Sequence, residues 1–288
     1  MKRKITFFLC TVLFFSAQSW GQTWNLTSTM TAVLDNKGEL TISTTKAEGE
    51  AMPRPGYGSL YDAVWYSVRD KIHSVSIKDK VTSICEVAFV GCSNLTSVTI
   101  PNSVQAIGRY AFYDCKDLTS VIIPTSVKSI DDSAFKNCSG LISIIIPESI
   151  HIIDIQVFNN CSNLTSVTIP NSIQSIENAA FSGCKRLTSV FIPSSISKIA
   201  DNAFINCPTS FEVDSGNTFY SSDAEGVLYN KDKTVLQKYP EGKTNETFKI
   251  PKSVVSIGNS AFIYCNLTSL IIPNSIVLIV SCHFSKVG

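Results

Sequence analysis

Isoleucine recurs at a spacing of 23 residues through the middle of the chain, at Ile100, Ile123, Ile146, Ile169 and Ile192. Each is followed by Pro, by Ser three positions on, by Val or Ile, and by a second Ile seven positions on. Phe112, Phe135, Phe158, Phe181 and Phe204 stand twelve residues after these isoleucines, and Cys115, Cys138, Cys161, Cys184 and Cys207 follow three residues later. The frame extends upstream as Ile77, Ile84, Phe89, Cys92 and Leu95, and downstream as Ile250, Ile257, Phe262, Cys265 and, with one residue deleted, Leu267. A last copy keeps Ile272, Pro273, Ser275, Ile279 and Phe284. A unit this short cannot bury its own apolar face, so successive copies must stack and share one continuous core.

Within a unit, Leu95-Thr-Ser-Val98-Thr-Ile100 alternates in the manner of a short strand with Val98 and Ile100 pointing inward. Pro101 ends it, at the strand exit where the missing N–H is tolerated. The segment Ala111-Phe112-Tyr113-Asp114-Cys115 is expected to form a short helical turn on the opposite, convex side. Parallel strands advance about 4.8 Å per unit, so eight or nine units would give a rod roughly 40 Å long.

The pattern Leu-x-x-Val-x-Ile-Pro-x-Ser-Val-x-x-Ile-x-x-x-Ala-Phe-x-x-Cys, running over residues 77–284, resembles the BspA-like class of bacterial leucine-rich repeats. The resemblance implies an α/β leucine-rich repeat solenoid with a curved parallel β-sheet on its concave side. It also implies adhesion to host or extracellular-matrix proteins and to other cells. Fold alone does not establish function.

Three parts of the chain depart from the period. Lys2, Arg3 and Lys4 precede an apolar run from Ile5 to Phe15, the signature of a secretory signal peptide over residues 1–21, with cleavage after Gly21 preferred to cleavage after Ser19. Cys10 lies inside that run, poorly placed for lipidation, and no later segment is long and uncharged enough to span a bilayer. The chain is therefore expected to be secreted or displayed at a cell surface. Residues 22–76 read as an N-terminal capping region: a β-hairpin of Thr31–Asp35 and Glu39–Ser43 around Asn36-Lys37-Gly38, then Leu60, Val64, Trp65 and Val68 at helical spacing. An independent binding module is the alternative there. Residues 77–288 form the repeat domain, interrupted between Ile192 and Ile250, whose spacing of 58 is one period plus 35, so that a longer segment replaces an ordinary unit. Across the interruption Val213 and Phe248 are expected inward, and 215–249 is expected to hold a hairpin of Val227–Tyr229 and Thr234–Leu236. That hairpin reads as a structural variation, with a ligand arm as the alternative.

The chemistry of an enzyme is not visible. Lys and Arg total 24 against 23 Asp and Glu, without a long basic run, so nucleic acid is not an expected partner. His73, His151 and His283 lie in different units without zinc-ligand spacing, and no nucleophile elbow, phosphate-cradling glycine loop, Cys-x-x-Cys or recurring carboxylate pair is present. No metal, cofactor or catalytic residue is expected. Ten cysteines in an exported chain would suggest disulfides, but seven (Cys92, Cys115, Cys138, Cys161, Cys184, Cys207 and Cys265) hold one equivalent position. Their Cβ vectors would run parallel rather than toward each other, so a reduced, buried ladder is expected. The column Ser103, Ser126, Ser149, Ser172, Ser195, Ser253 and Ser275 is expected to bond backbone groups at the strand exit.

What remains for function is the outward side of the strands. One column there is Ser97, Ser120, Ser143, Ser166 and Ser189. The next is Thr99, Ile122, Ile145, Thr168 and Phe191, continued by Asp214, Lys249 and Ile271. Exposed apolar residues beside small hydroxyls suit a non-catalytic binding face for an extracellular or host protein. The alternative is a structural spacer that self-associates through its last repeat, where Val280-Ser-Cys-His-Phe284 would leave an apolar edge. Glycan binding ranks third, because few aromatics face outward.

Overall fold

The computed structural model describes residues 21–54 and 63–280. The segment expected to be a signal peptide, apart from Gly21, residues 55–62 and the last eight residues, Cys282 and His283 among them, lie outside the described residues. Short parallel strands stack in two rows. The first row runs through Glu39–Thr44, Ser74–Ile77 and Ser97–Thr99, then Ser143–Ile145, Ser166–Thr168, Ser189–Ile192 and Ser210–Val213, and later Thr247–Lys249 and Ser269–Ile271. The second holds Glu50–Ala51, Val81–Ile84, Ala106–Ile107, Ser129–Ile130, Ile152–Ile153, Ser175–Ile176 and Lys198–Ile199. Registers follow the repeat: Ser143 pairs with Ser166, Ile144 with Val167, and in the second row Ile153 with Ile176.

Between the rows, the Pro-x-Ser-Val segment forms a tight turn. Val104 N–H donates to the Pro101 carbonyl, Val127 to Pro124 and Ile150 to Pro147. Proline needs no N–H at the start of such a turn, and its carbonyl remains free to accept. The serine two residues later donates its hydroxyl to the preceding coil, as Ser103 does to the Val81 carbonyl at 2.8 Å and Ser126 to Val104 at 2.7 Å.

The expected helical turns on the third side are not there, and the α/β reading is corrected to an almost purely β solenoid. Among the described residues the one helical element is the 3-10 turn Tyr66–Lys71. In the coil of Phe112, alternate N–H groups go to alternate destinations. Ala111, Tyr113 and Cys115 donate three residues back, to Gly108, Tyr110 and Phe112. Tyr110, Phe112 and Asp114 donate to the next coil, at Asp132, Ala134 and Lys136. Tyr110 and Asp114 have positive φ, 56° and 61°, which breaks any helix. The physical reason is spacing. An α-helix is about 10–12 Å across and uses all its N–H groups internally, so helices could not stack at the pitch of the strands, about 4.8 Å. Tight turns leave half of the N–H groups free to bind the next coil.

The expected N-terminal hairpin is present, but it is part of the sheet. Met30–Leu34 and Glu39–Thr44 pair antiparallel, but Glu39–Thr44 also pairs in parallel with Ser74–Ile77. The hairpin thus continues the first row edge to edge, and Gln22–Asn25 adds a further strand outside it. The helical spacing at Leu60–Val68 yields only the 3-10 turn, with Leu60 outside the described residues. Trp65 is buried for another reason. It occupies the phenylalanine position of the first coil and stacks on Phe89 at 5.9 Å, its indole N–H donating to the Ala88 carbonyl.

From there the core is a column of rings. Phe89, Phe112, Phe135, Phe158, Phe181 and Phe204 stack face to face with centroids 5.2–5.8 Å apart. The column ends where Phe204 meets Phe211 edge-on. A second core then forms around Tyr229, Tyr239, Phe248 and Phe262. Leu228–Asn230, the middle strand of the antiparallel segment Tyr220–Ser222, Leu228–Asn230 and Val235–Lys238, lies where the two cores meet. Leu228 belongs to the first core, while its neighbours Val227 and Tyr229 belong to the second.

Beside the rings runs the cysteine column. Cys115, Cys138, Cys161 and Cys184 are buried and unpaired, and each Sγ donates to the phenylalanine carbonyl of the preceding coil at 3.1–3.3 Å. Burial pushes the Cys92 thiol up to about 12. Only the thiolate alkylates, which for such a group is about one molecule in ten thousand at pH 8 even before access is considered. Native protein should therefore react slowly with iodoacetamide, and unfolding without reductant should release all eight described cysteines as free thiols. Disulfides between successive column members, found by mass spectrometry, would contradict this arrangement.

Candidate binding surface

The strands of the first row hold their inward side chains in the core, so the outward ones are fixed in two ranks. Val190 and Ile192 are buried, whereas Ser189 and Phe191 between them are exposed. Ser97, Ser120, Ser143, Ser166 and Ser189 are all exposed on this face, as are Thr99 and Thr168. Ile122 is 85% exposed, Ile145 69% and Phe191 46%. Residues 120–122 carry no regular strand pairing, although Ile142 N–H still donates to the Thr119 carbonyl and holds that coil in line. The structure therefore brings together the residues from Thr99 to Phe191 that the repeat places in one column.

Beyond Phe191 the expected column is corrected. Phe191 pairs with Glu212, not with Asp214, and Val213 pairs with Ile192, leaving Phe211 in the inward place beside Val190. Two residues are missing from the turn after Cys207. Thr209 stands there with its hydroxyl donating to the Leu187 carbonyl at 2.6 Å. Lys249 and Ile271 do share a column, paired across the last described strands of the row.

Two exposed apolar features escaped the sequence reading. Ile142 lies outward in the column of Thr119 and Thr165, beside Ile145. Ile152 is exposed on the second row, whose two-residue strands are hidden in the sequence by the neighbouring turns, and Ile155 is exposed in the turn that follows. The signal was the second Ile of each unit, which recurs with the same period as the first. The second row also carries Asp131, Asp154 and Glu177 one coil apart. Burial and the nearby Asp154 raise the Asp131 carboxyl, whereas the Lys198 ammonium bonded to Glu177 lowers that one. His73 and His151 stand in separate coils. Among the described residues no group of three or more His, Cys, Asp or Glu is placed to hold a metal ion. No described helix is long and apolar enough to cross a membrane.

Coils of this length, with two strand rows, a ring ladder and an exposed regular strand face, define a bacterial-type leucine-rich repeat solenoid, a fold typically non-catalytic and generally used for protein interaction. The profile of the BspA type leucine rich repeat region matches in six copies, over residues 59–184, 151–224 and 237–287, and the chain belongs to this family. Among solved structures it is similar to a leucine rich cell surface protein from Faecalibacterium prausnitzii A2-165, at 31% identity over 90% of this chain and 72% of that one, with a TM-score of 0.69. It is also similar to a leucine-rich repeat protein from Eubacterium ventriosum ATCC 27560, at 30% identity and a TM-score of 0.60, covering 90% of this chain and 62% of that one. The chain thus spans less than two thirds of that relative's length. A leucine-rich repeat protein from Bacteroides ovatus ATCC 8483, 24% identical over 95% of this chain and 69% of its own, shares the fold with a TM-score of 0.61. No curated protein matches the chain by sequence.

Proposed function

We propose that the chain is an exported, non-catalytic binding protein, secreted or held at the cell surface, whose first strand row carries the interface for an extracellular or host protein. The observation that carries this reading is the rank of Ile122, Ile145 and Phe191, exposed in one line on a face whose geometry the core already fixes. Burying such side chains against a partner contributes about 1.5–3 kcal/mol each, and the flanking hydroxyls of Ser120, Ser143, Ser166 and Ser189 allow close approach. Adhesion follows from this reading when the partner is a matrix protein or another cell.

The test compares the mature chain with Ile122→Glu/Phe191→Glu in binding to immobilised matrix proteins, mucins and intact cells. The double variant should keep its circular dichroism and denaturation midpoint yet bind at least about a hundredfold more weakly, the loss of two buried apolar contacts. Undiminished binding by the variant would move the site to the second row, to the turns or to residues 22–54. A second reading, self-association at the C-terminal side, is favoured by the exposure of Ile271 and Leu278 on the last described strands, Ser269–Ile271 and Leu278–Ile279, and of Val277 just before the second of them. The rest of the edge motif that suggested it, from Ser281 on, lies outside the described residues. Light scattering across a concentration series separates the two readings.

A further inference from the structure

The exposed strand face does not run on evenly past Phe191. Its next outward residue is Glu212, paired directly across the ladder, and beyond Glu212 the chain rises out of the stack as residues 222–226. That segment is tied to the strand at two points: Phe211 N–H donates to the Gly226 carbonyl, and Val213 N–H to the Ser222 hydroxyl. Between this wall and Phe191 lies an open depression of about 490 Å³. Glu212, Asp223 and Glu225 line it, together with Ser189 and the Phe191 ring, and no cation does.

The three carboxylates are not equivalent. Asp223 is engaged in the wall itself, accepting from the N–H groups of Glu225 and Val227 and from the Tyr229 hydroxyl. Glu225 is paired with Lys243 at 3.1 Å. The Glu212 side chain is exposed, and its carboxylate makes no hydrogen bond or ion pair among the described residues. A bare carboxylate one strand from an exposed aromatic ring, at the end of a face of apolar and hydroxyl side chains, is complementary to one kind of side chain. The planar guanidinium of arginine lies flat on an aromatic ring while donating in its own plane to a carboxylate.

We infer that the partner of this face is a protein segment that lays apolar side chains along Ile122 and Ile145 and ends in a basic residue, arginine above all, seated on Phe191 and bonded to Glu212. This rests on the proposed binding face and names the chemistry of its partner. Phe191 supplies the platform, Glu212 the charge, and the wall at 222–226 stops the segment from sliding further along the stack. The hydroxyls between them let the backbone of the segment approach.

The test selects a phage-displayed library of random dodecapeptides on the mature chain. Enriched peptides should combine β-branched or aromatic residues with a terminal Arg or Lys. Glu212→Gln should weaken them by about five- to tenfold, and Glu212→Lys should lose them and enrich peptides with Asp or Glu at the same place. Both substitutions lie on the surface, and circular dichroism checks that the fold is kept. Peptides that need Ile122 but are indifferent to Glu212→Gln would overturn the cation and leave the face standing. Peptides indifferent to Ile122→Glu/Phe191→Glu, or no enrichment over that variant, would overturn both. Dimerisation that the same double variant abolishes and Glu212→Gln does not would assign the face to a second copy and overturn the inference.

Discussion

Phe135→Ala should destabilise the chain by about 3–5 kcal/mol, the upper range for a core substitution. The ring is fully buried and has a neighbour on each face, Phe112 at 5.2 Å and Phe158 at 5.8 Å. Removing it opens a gap that the stack cannot close, because the pitch of the coils is set by backbone hydrogen bonds on either side. Phe112 N–H donates to the Ala134 carbonyl at 2.8 Å, and Phe135 N–H to Val157 at 3.0 Å. Each ring contact adds about 0.5–1.5 kcal/mol beyond area burial, and an interior ring has two to lose. Phe135→Leu keeps most of the volume but loses both ring contacts and should cost about 1–3 kcal/mol. Phe204→Ala should cost nearly as much as Phe135→Ala, since Phe204 also has two ring neighbours, one stacked and one edge-on. Urea midpoints of the three variants check the order. A loss below about 1 kcal/mol at Phe135 would mean that the ladder is not what holds the coils at their spacing.

Glu241→Ala should be nearly as costly, about 3–5 kcal/mol, for an electrostatic reason. At the junction of the two cores Lys238 and Glu241 are both buried and their charged groups meet at 2.6 Å. The second carboxylate oxygen accepts from the Cys207 N–H at 2.9 Å, and the first also accepts from Asn206 at 3.1 Å. In regular coils the N–H before the cysteine reaches the next coil, as Gly183 does to Ile205. After Asn206 no such coil follows, and the carboxylate takes its place. Burial raises the Glu241 carboxyl above its ordinary range, against the pull of Lys238 and of these two N–H groups. Removing Glu241 leaves an ammonium without a counter-charge and orphans both donors. Glu241→Leu/Lys238→Met should recover part of the loss by removing the unpaired charge, but not the part due to the N–H groups. A double-mutant cycle by denaturant titration measures the coupling. A coupling near zero would show that the pair does not join the cores.

The repeat made the stack, the buried cysteines and the outward ranks legible, because each follows from position within a fixed period. The turns were misread for a reason visible in Phe112 and Cys115. Side chains three apart share a face in a helix, and they share one equally in two successive tight turns. The distinguishing signal was the residue before each cysteine. Gly91, Asp114, Asn137, Asn160, Gly183 and Asn206 all have positive φ, and Gly, Asn and Asp are the types that adopt it at least cost. The side chains of this column also bond along the stack, Asn137 to Asp114 and Asn160 to Asn137. Asp214 was misplaced because counting by 23 assumed a complete turn after Cys207, and two residues are missing there. The continuation of the sheet through Glu39–Thr44 was hidden because Trp65 replaces phenylalanine in the ladder and the spacing around it is irregular.

The central claim, that a partner sits on the first strand row, is tested most directly by hydroxyl-radical footprinting of the chain alone and with a protein selected by the binding screen proposed above. The account predicts that oxidation of Ile122, Ile142, Ile145 and Phe191 falls several-fold in the complex, while Ile152, Ile155 and Tyr264, exposed elsewhere on the solenoid, react as before. Protection of Ile152 and Ile155 with Ile122 and Phe191 unchanged would contradict it.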